Sequence, residues 1–427
     1  MKFNKWTLGL AAVGVVSLAS AAKAEEKTAN SVLTALSSTT LSGYVDTSAQ
    51  WNFNTSSSKN GNFTQNTPPY AYSAGKQDGF NLNAVVLTLQ KPLDESEWAS
   101  GYRVDLAFGP DAGYGGLNTS SSGYSGSDFS IQQAYVELRT PVGNGIDWKM
   151  GVFNTIIGYE VFADGDNPNY TRSWGYSIEP TTHTGLLASY RFSDSVTASV
   201  GIANTFGPTI NQKPWQGNFN APPNTTHAES YKTYMGSIAL TAPSDWGFLS
   251  GSTLYGGIIN GWNGNAEGSG AQTSYYAGAT VNTPVTGLKA GIAYDLAEQY
   301  HFNDPDAAPG ANGRSWALGL YATYQATEKL SLNLRGEYFS DKADRFEEGN
   351  IGPGLSWAQY QDWALTTTVQ YDLWKNVISR LEFRYDNQCL SLRNASGGGA
   401  GGGGPFNPNA KALRNNFMLA ANIIYKF

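Results

Sequence analysis

The connections between strand-like segments in this chain alternate strictly between long and short, and that rhythm constrains the fold more than any single motif. Sixteen segments carry strand character, at 41–53, 79–91, 100–109, 129–139, 146–153, 183–192, 195–206, 231–242, 248–262, 273–282, 285–297, 315–325, 329–340, 362–372, 376–386 and 415–427. The odd-numbered connections between them span 10 to 29 residues and the even-numbered ones 2 to 8. Such alternation places every second turn at the same end, as in an up-and-down antiparallel meander. Short turns at one end and long loops at the other predict an all-β transmembrane barrel of about 16 strands, with short periplasmic turns and long extracellular loops.

The faces of the strands support this plan. Successive side chains of a strand point to opposite sides. In the penultimate segment Leu381, Phe383 and Tyr385 alternate with Arg380, Glu382, Arg384 and Asp386. Leu330, Leu332, Leu334 and Tyr338 likewise alternate with Ser331, Asn333, Arg335 and Glu337, and Tyr102, Val104, Leu106 and Phe108 with Arg103 and Asp105. Ile146, Trp148, Met150 and Val152 are set against Asp147 and Lys149. Only segment 79–91 has faces that the pattern does not assign. Unpaired ions in a dry core cost several kcal/mol each, so the ionic faces need water or partners, and the apolar faces need lipid or a second layer. The chain closes on NNFMLAANIIYKF, in which Phe417, Leu419, Ala421, Ile423, Tyr425 and Phe427 form one apolar face.

Residues 1–24 have the layout of an export signal: Lys2 and Lys5, an apolar stretch Leu8–Leu18, and the small-residue site Ala22-Lys23-Ala24. The expected organisation is a signal peptide at 1–24, a short periplasmic segment at 25–40, and the barrel at 41–427, in the outer membrane of a Gram-negative bacterium. Without the leader, 24 basic residues stand against 34 acidic ones. Such an acidic surface repels phosphate backbones, so nucleic acid is not an expected partner. Mean hydropathy is −0.35, as expected when barrel strands are apolar only at every second position. The single cysteine, Cys389, forms no intramolecular disulfide and reads as a loop residue.

The terminal strand and the third long connection, Gly158–Gly185 (GYEVFADGDNPNYTRSWGYSIEPTTHTG), make the chain resemble the OmpL-like β-barrel porin family of Gram-negative bacteria. The resemblance implies that the barrel-assembly machinery recognises the last strand, with Tyr425 and Phe427 as its signal. It also implies a porin, without cofactor, metal or catalytic residues. Lipid and lipopolysaccharide would surround it and small hydrophilic solutes would pass through it; a homotrimer is compatible with the plan.

A sixteen-strand barrel is wide enough to hold an aqueous channel. The third connection, the longest by this reading, resembles in position the constriction loop of general porins and is expected to fold inward. Glu160, Asp164, Asp166 and Glu179 would then form a pore constriction facing Arg103, Lys149, Arg191, Arg335, Arg380 and Arg384 on the wall. Opposed charges across a narrow passage set a transverse field that filters solutes. Tyr159, Tyr170, Trp174 and Tyr176 offer either sugar-stacking surfaces or packing against the wall. The expected function is passive diffusion of small hydrophilic solutes. The alternative is a surface-binding or adhesive barrel without channel activity. An enzyme is disfavoured, because no nucleophile motif surrounds His183, His227 or His301. The glycine-rich run Ser396–Pro405 reads as a flexible loop, and the acidic group Asp341, Asp344, Glu347 and Glu348 as a solvated face.

Overall fold

The computed structural model describes residues 38–427 apart from 54–75, 77, 114–127, 205, 212–230, 264–269, 302–311, 343–354 and 395–410. The leader, the segment up to 37, Asp344, Glu347, Glu348, His227 and the glycine-rich run lie outside the described residues, as do the side chains of Cys389 and His301.

Sixteen antiparallel strands form one closed barrel, each paired with its neighbours in sequence and the first with the last. They are β1 (Thr40–Asn52), β2 (Gly79–Lys91), β3 (Ser100–Phe108), β4 (Phe129–Thr140), β5 (Ile146–Asn154), β6 (Thr182–Ser193), β7 (Val196–Ala203) and β8 (Thr233–Thr241). The second half comprises β9 (Thr253–Asn263), β10 (Gly270–Asn282), β11 (Leu288–His301), β12 (Asn312–Gln325), β13 (Leu330–Lys342), β14 (Leu355–Trp374), β15 (Val377–Asn394) and β16 (Lys411–Lys426). Closure leaves no unpaired strand edge. At the seam the Gly43 and Phe427 backbones exchange two hydrogen bonds, each 2.9 Å. A Cβ at Gly43 would collide with the Val86 carbonyl oxygen and meet the Phe427 ring at 2.8 Å, so the close approach of β2 and the terminal ring requires glycine there.

The apolar faces point outward and the ionic faces inward. On β15, Leu381 is 53% exposed on the outside while Glu382, Arg384 and Asp386 are fully buried inside. Leu332 and Leu334 likewise face out and Arg335 and Glu337 face in, and in the last strand Ile423, Tyr425 and Phe427 are exposed. Segment 79–91 resists a face assignment because β2 carries a bulge: Asp46 pairs with Ala84 and Thr47 with Leu82, leaving Asn83 as the extra residue. A bulge shifts the alternation by one. Phe80 and Leu82 therefore point outward before it, and Val86 inward after it.

Several expectations need correction. Cys389 lies within β15 rather than in a loop, and Asp341, near the end of β13, is buried and accepts a hydrogen bond from Ser315 rather than joining a solvated face. The ninth strand begins at Thr253 rather than 248, because a short 3-10 turn, Gly247–Leu249, precedes it. Gly247 and Gly251 have φ of +59° and +78°, which an extended strand does not accommodate. The connection 242–252 is therefore longer than 264–269 at the opposite end, and the two length classes overlap there. The third connection, 155–181, is also slightly shorter than the fourth, 204–232.

Candidate functional site: the third loop inside the barrel

Residues 155–181, hereafter the third loop, enter the lumen and pack on the wall in three ways. The entering leg is apolar. Ile156, Ile157 and Tyr159 join inward-facing Phe153, Leu187, Met235, Ile259, Tyr276 and Tyr321 in one cluster, with Tyr159 stacked 4.0 Å from Tyr321. This part of the lumen is a packed core. Further along, Trp174 stacks on Phe339 at 4.5 Å, in a space that Ala297, Ala317 and Ala364 leave open.

The middle of the loop is held by ions. A loop inside a barrel must find partners for backbone groups that no ladder satisfies. Here the wall side chains supply them. Arg335 donates to Thr171 O at 2.6 Å, Arg384 to Arg172 O at 2.9 Å, and Arg380 to Asp164 O and Asn167 O at 2.9 and 2.6 Å. Glu382 accepts the Tyr170 and Thr171 N–H groups at 2.6 and 2.9 Å, and Glu337 accepts Trp174 N–H at 2.6 Å. The arginines are neutralised along their own strands: Arg335–Glu337 at 2.7 Å and Arg384–Asp386 at 2.9 Å. Within the loop, Ser173 caps the short helix Trp174–Ile178 by accepting Tyr176 N–H at 3.1 Å.

The four loop acids have different fates. Glu160 pairs with Arg335 at 2.8 Å, both side chains fully buried. Asp164 pairs with Arg172; burial pushes its carboxyl up, but Arg172, a hydrogen bond with Asp46 and nearby Arg380 outweigh this and hold it below its ordinary value. Glu179 is hydrogen-bonded to Asp295 of β11, and burial, followed by the charges of Asp295 and Glu160, pushes its carboxyl well above the ordinary range. Gly158, at φ +111°, and Gly175 lie against these two carboxyls, and a side chain at either position would collide with them. Asp166 is the most exposed of the four and pairs with Lys426 at 2.7 Å near the short-turn end.

The expected arrangement of loop acids facing wall arginines across open water is therefore corrected. Arg335, Arg380 and Arg384 touch the loop, and with Glu160 and Asp164 they form a dry seam. Arg191 is displaced further. It sits at the short β6–β7 turn, exposed and paired with Asp194 at 2.8 Å. Of the loop aromatics, Tyr159 and Trp174 pack, Tyr170 donates from its hydroxyl to Ser48 at 2.9 Å, and Tyr176 reaches open space.

That space is a cavity of about 480 Å³ at the short-turn end, bounded by the third loop, the end of β16 and the inner face of β1 to β7. Arg103, Asp105, Gln132, Tyr135, Lys149 and Lys426 line it. Arg103 holds Asp105 at 2.9 Å through Nε, and Lys149 lies 3.9 Å from Glu137 and 4.9 Å from the Tyr135 ring centre. On the far side of the loop, Lys76 pairs with Asp111 at 2.8 Å and sits 5.5 Å over the Tyr170 ring, tying the first and second long connections to the third. Burial pushes Asp111 up to about 6 against the pull of Lys76.

Sequence patterning missed Asp46, Lys76, Asp111, Arg172, Asp295 and Lys426, whose roles depend on contacts distant in the chain. It did contain Glu337, Glu382, Asp386 and Asp105, each two residues from an arginine on the same face. Among the described residues no group of His, Cys, Asp or Glu could hold a metal ion. No helix there is long and apolar enough to cross a membrane, which says nothing of crossing by strands.

A family model described as putative beta-barrel porin-2, OmpL-like, matches residues 38–427. No curated relative matches the sequence. Among solved structures, the barrel is similar to an anion-selective porin from Comamonas acidovorans (TM-score 0.54, 12% identity, covering 91% of this chain and 99% of that one). It is also similar to the outer membrane channel DcaP of Acinetobacter baumannii (0.52, 13%, 91% and 97%). A third is the trimer form of OmpT from Vibrio cholerae (0.50, 14%, 91% and 99%). At these identities the likeness shows the fold.

Proposed function

Because the chain belongs to the OmpL-like β-barrel porin family, in the outer membrane of Gram-negative bacteria, we propose that it is an open channel for passive diffusion of small hydrophilic solutes. The observation that carries this reading is the tethered third loop. It enters the lumen and borders a cavity of about 480 Å³ at the short-turn end. Solutes move down their gradient with no energy source, cofactor or covalent step. The constriction is made by the loop as a body, with Asp166, Arg103, Lys149 and Lys426 as the charges that meet water. Glu160, Asp164, Glu179, Arg335, Arg380 and Arg384 hold the loop in place.

Tyr425 and Phe427 remain the proposed assembly signal, and assembly as a homotrimer, the form in which OmpT of Vibrio cholerae is described, is part of the proposal. Purified protein in planar bilayers should give discrete conductance steps. Barrel intact by heat-modifiable migration but without conductance would instead favour a surface-binding role. Cross-linking in native membranes should give a three-chain band.

A further inference from the structure

The charged groups lining the periplasmic cavity are unequally engaged. Each lining carboxylate already has a partner: Asp105 accepts from Arg103 and from Gln133 at 2.6 Å, Glu160 from Arg335, Asp166 from Lys426, and Glu179 is bonded to Asp295. Two of the cations have donors to spare. Arg103 uses only Nε on Asp105, so both terminal nitrogens of its guanidinium donate to no described residue. The Lys149 side chain is 9% exposed, and Glu137 stands 3.9 Å away, beyond hydrogen-bond reach. Gln132, also buried, makes no side-chain hydrogen bond to a described residue. Arg103, about one-third exposed, Lys149 and Gln132 thus line one cavity with donors that an acceptor entering it can reach.

The strand register gives that place a shape. Arg103 is paired across β3–β4 with Tyr135, and Lys149 across β4–β5 with Glu137, two residues along from Tyr135. The two cations therefore flank the Tyr135 ring. Lys149 is paired on its other side with Leu187, and Phe153 lies four residues along the same inward face. Cationic donors set directly beside the apolar side chains of Tyr135 and Leu187, with Phe153 further along, make an amphipathic cleft. Its volume falls within the ~300–1,000 Å³ of small-molecule sites.

We propose that this cleft is a binding station for small organic carboxylates. The carboxylate bridges Arg103 and Lys149, with the Gln132 amide beside it, and the hydrocarbon part lies against Leu187 and Phe153. The inference rests on the channel reading only for the route by which the solute arrives.

The test uses the full-length barrel in detergent, with benzoate as probe and benzyl alcohol as its uncharged counterpart. Calorimetric titration should show benzoate binding, with benzyl alcohol at least about tenfold weaker, the ratio that one charge-assisted hydrogen bond supplies. Inorganic phosphate, which has the charge without the apolar part, should bind more weakly than benzoate. Lys149→Gln and Arg103→Gln should each weaken benzoate about tenfold, whereas Arg191→Gln, at the exposed turn, should not. Wild-type protein that fails to bind benzoate, or binds benzyl alcohol equally, overturns the proposal without any variant needing to fold. Bilayer recording separates the two readings: binding without conductance rejects the channel and keeps the station, and conductance without binding does the reverse.

Discussion

Arg335 on β13 and Arg103 on β3 occur in the same local pattern, an inward arginine followed two residues later by an acid, yet they do different work. Arg335 pairs with Glu337, then spends its remaining donors on Glu160 and the backbone of the third loop, and is fully buried. Arg103 pairs with Asp105 and donates to no backbone group of the third loop among the described residues; its side chain stays about one-third exposed at the cavity edge. The difference lies in the chain that covers them. A strand pattern delivers a charge to the inside of the barrel, and the loop decides whether that charge becomes structural or remains available to solutes.

The contrast can be broken most forcefully at the seam. Arg335→Ala leaves Glu160 buried without its cation and Glu337 with Arg384 alone, 3.3 Å away, and removing one member of a buried pair costs about 3–5 kcal/mol. The thermal midpoint of the heat-modifiable transition should fall sharply, and conductance should rise as the loop loosens. Glu382→Ala comes next. It strips the acceptor from the Tyr170 and Thr171 N–H groups, a loss of about 1–3 kcal/mol, readable as faster hydrogen exchange at those two amides.

A pH titration sharpens the comparison at the returning leg of the loop. The Glu179 carboxyl is raised by burial and by Asp295, so it holds its proton more tightly in the folded barrel than in the unfolded chain. Its stabilising contribution is complete below the ordinary carboxylate range near ~4.3 and is lost as pH rises through the elevated folded value. Protection factors over residues 174–181, with the intrinsic base-catalysed rise in exchange divided out, should fall with rising pH, and Glu179→Gln should flatten the response; protection unchanged across the range would remove Glu179 from this role. The smallest effect belongs to the open side. Arg103→Ala should change the thermal midpoint little, because a partly exposed pair contributes about 0–1 kcal/mol. A shift as large as that of Arg335→Ala would show that the two sides are not distinct.

Much of the fold was legible because a barrel needs only local patterns. Leu381 against Arg384, or Leu334 against Arg335, announces inside and outside within three residues, and the strand count follows from repetition. Where a local rule failed, a backbone irregularity was responsible: the Asn83 bulge on β2, and the left-handed glycines before Thr253. The site was less legible. Sequence placed Glu160 and Arg335 on opposite sides of a passage, since nothing in a linear pattern reports that loop and wall touch. Glu337 and Glu382 read only as members of ionic strand faces, yet each accepts backbone N–H from a loop more than 150 residues away in the chain. The inward apolar cluster around Ile157 and Ile259 was hidden for a related reason. On those strands both faces carry apolar residues, so no alternation distinguishes lipid from loop as the covering layer.

The seating of the third loop against the wall is what every functional statement here requires, and proximity tests it directly. Gly165 packs beside Ile378, with a Cβ placed on Gly165 falling 3.4 Å from the Ile378 side chain. In a Cys389→Ser background, Gly165→Cys combined with Ile378→Cys should be joined by a short bismaleimide in intact outer membranes, giving a shifted band on a denaturing gel. If each introduced thiol reacts with a monofunctional maleimide yet the pair is never joined, the loop does not lie where this account puts it.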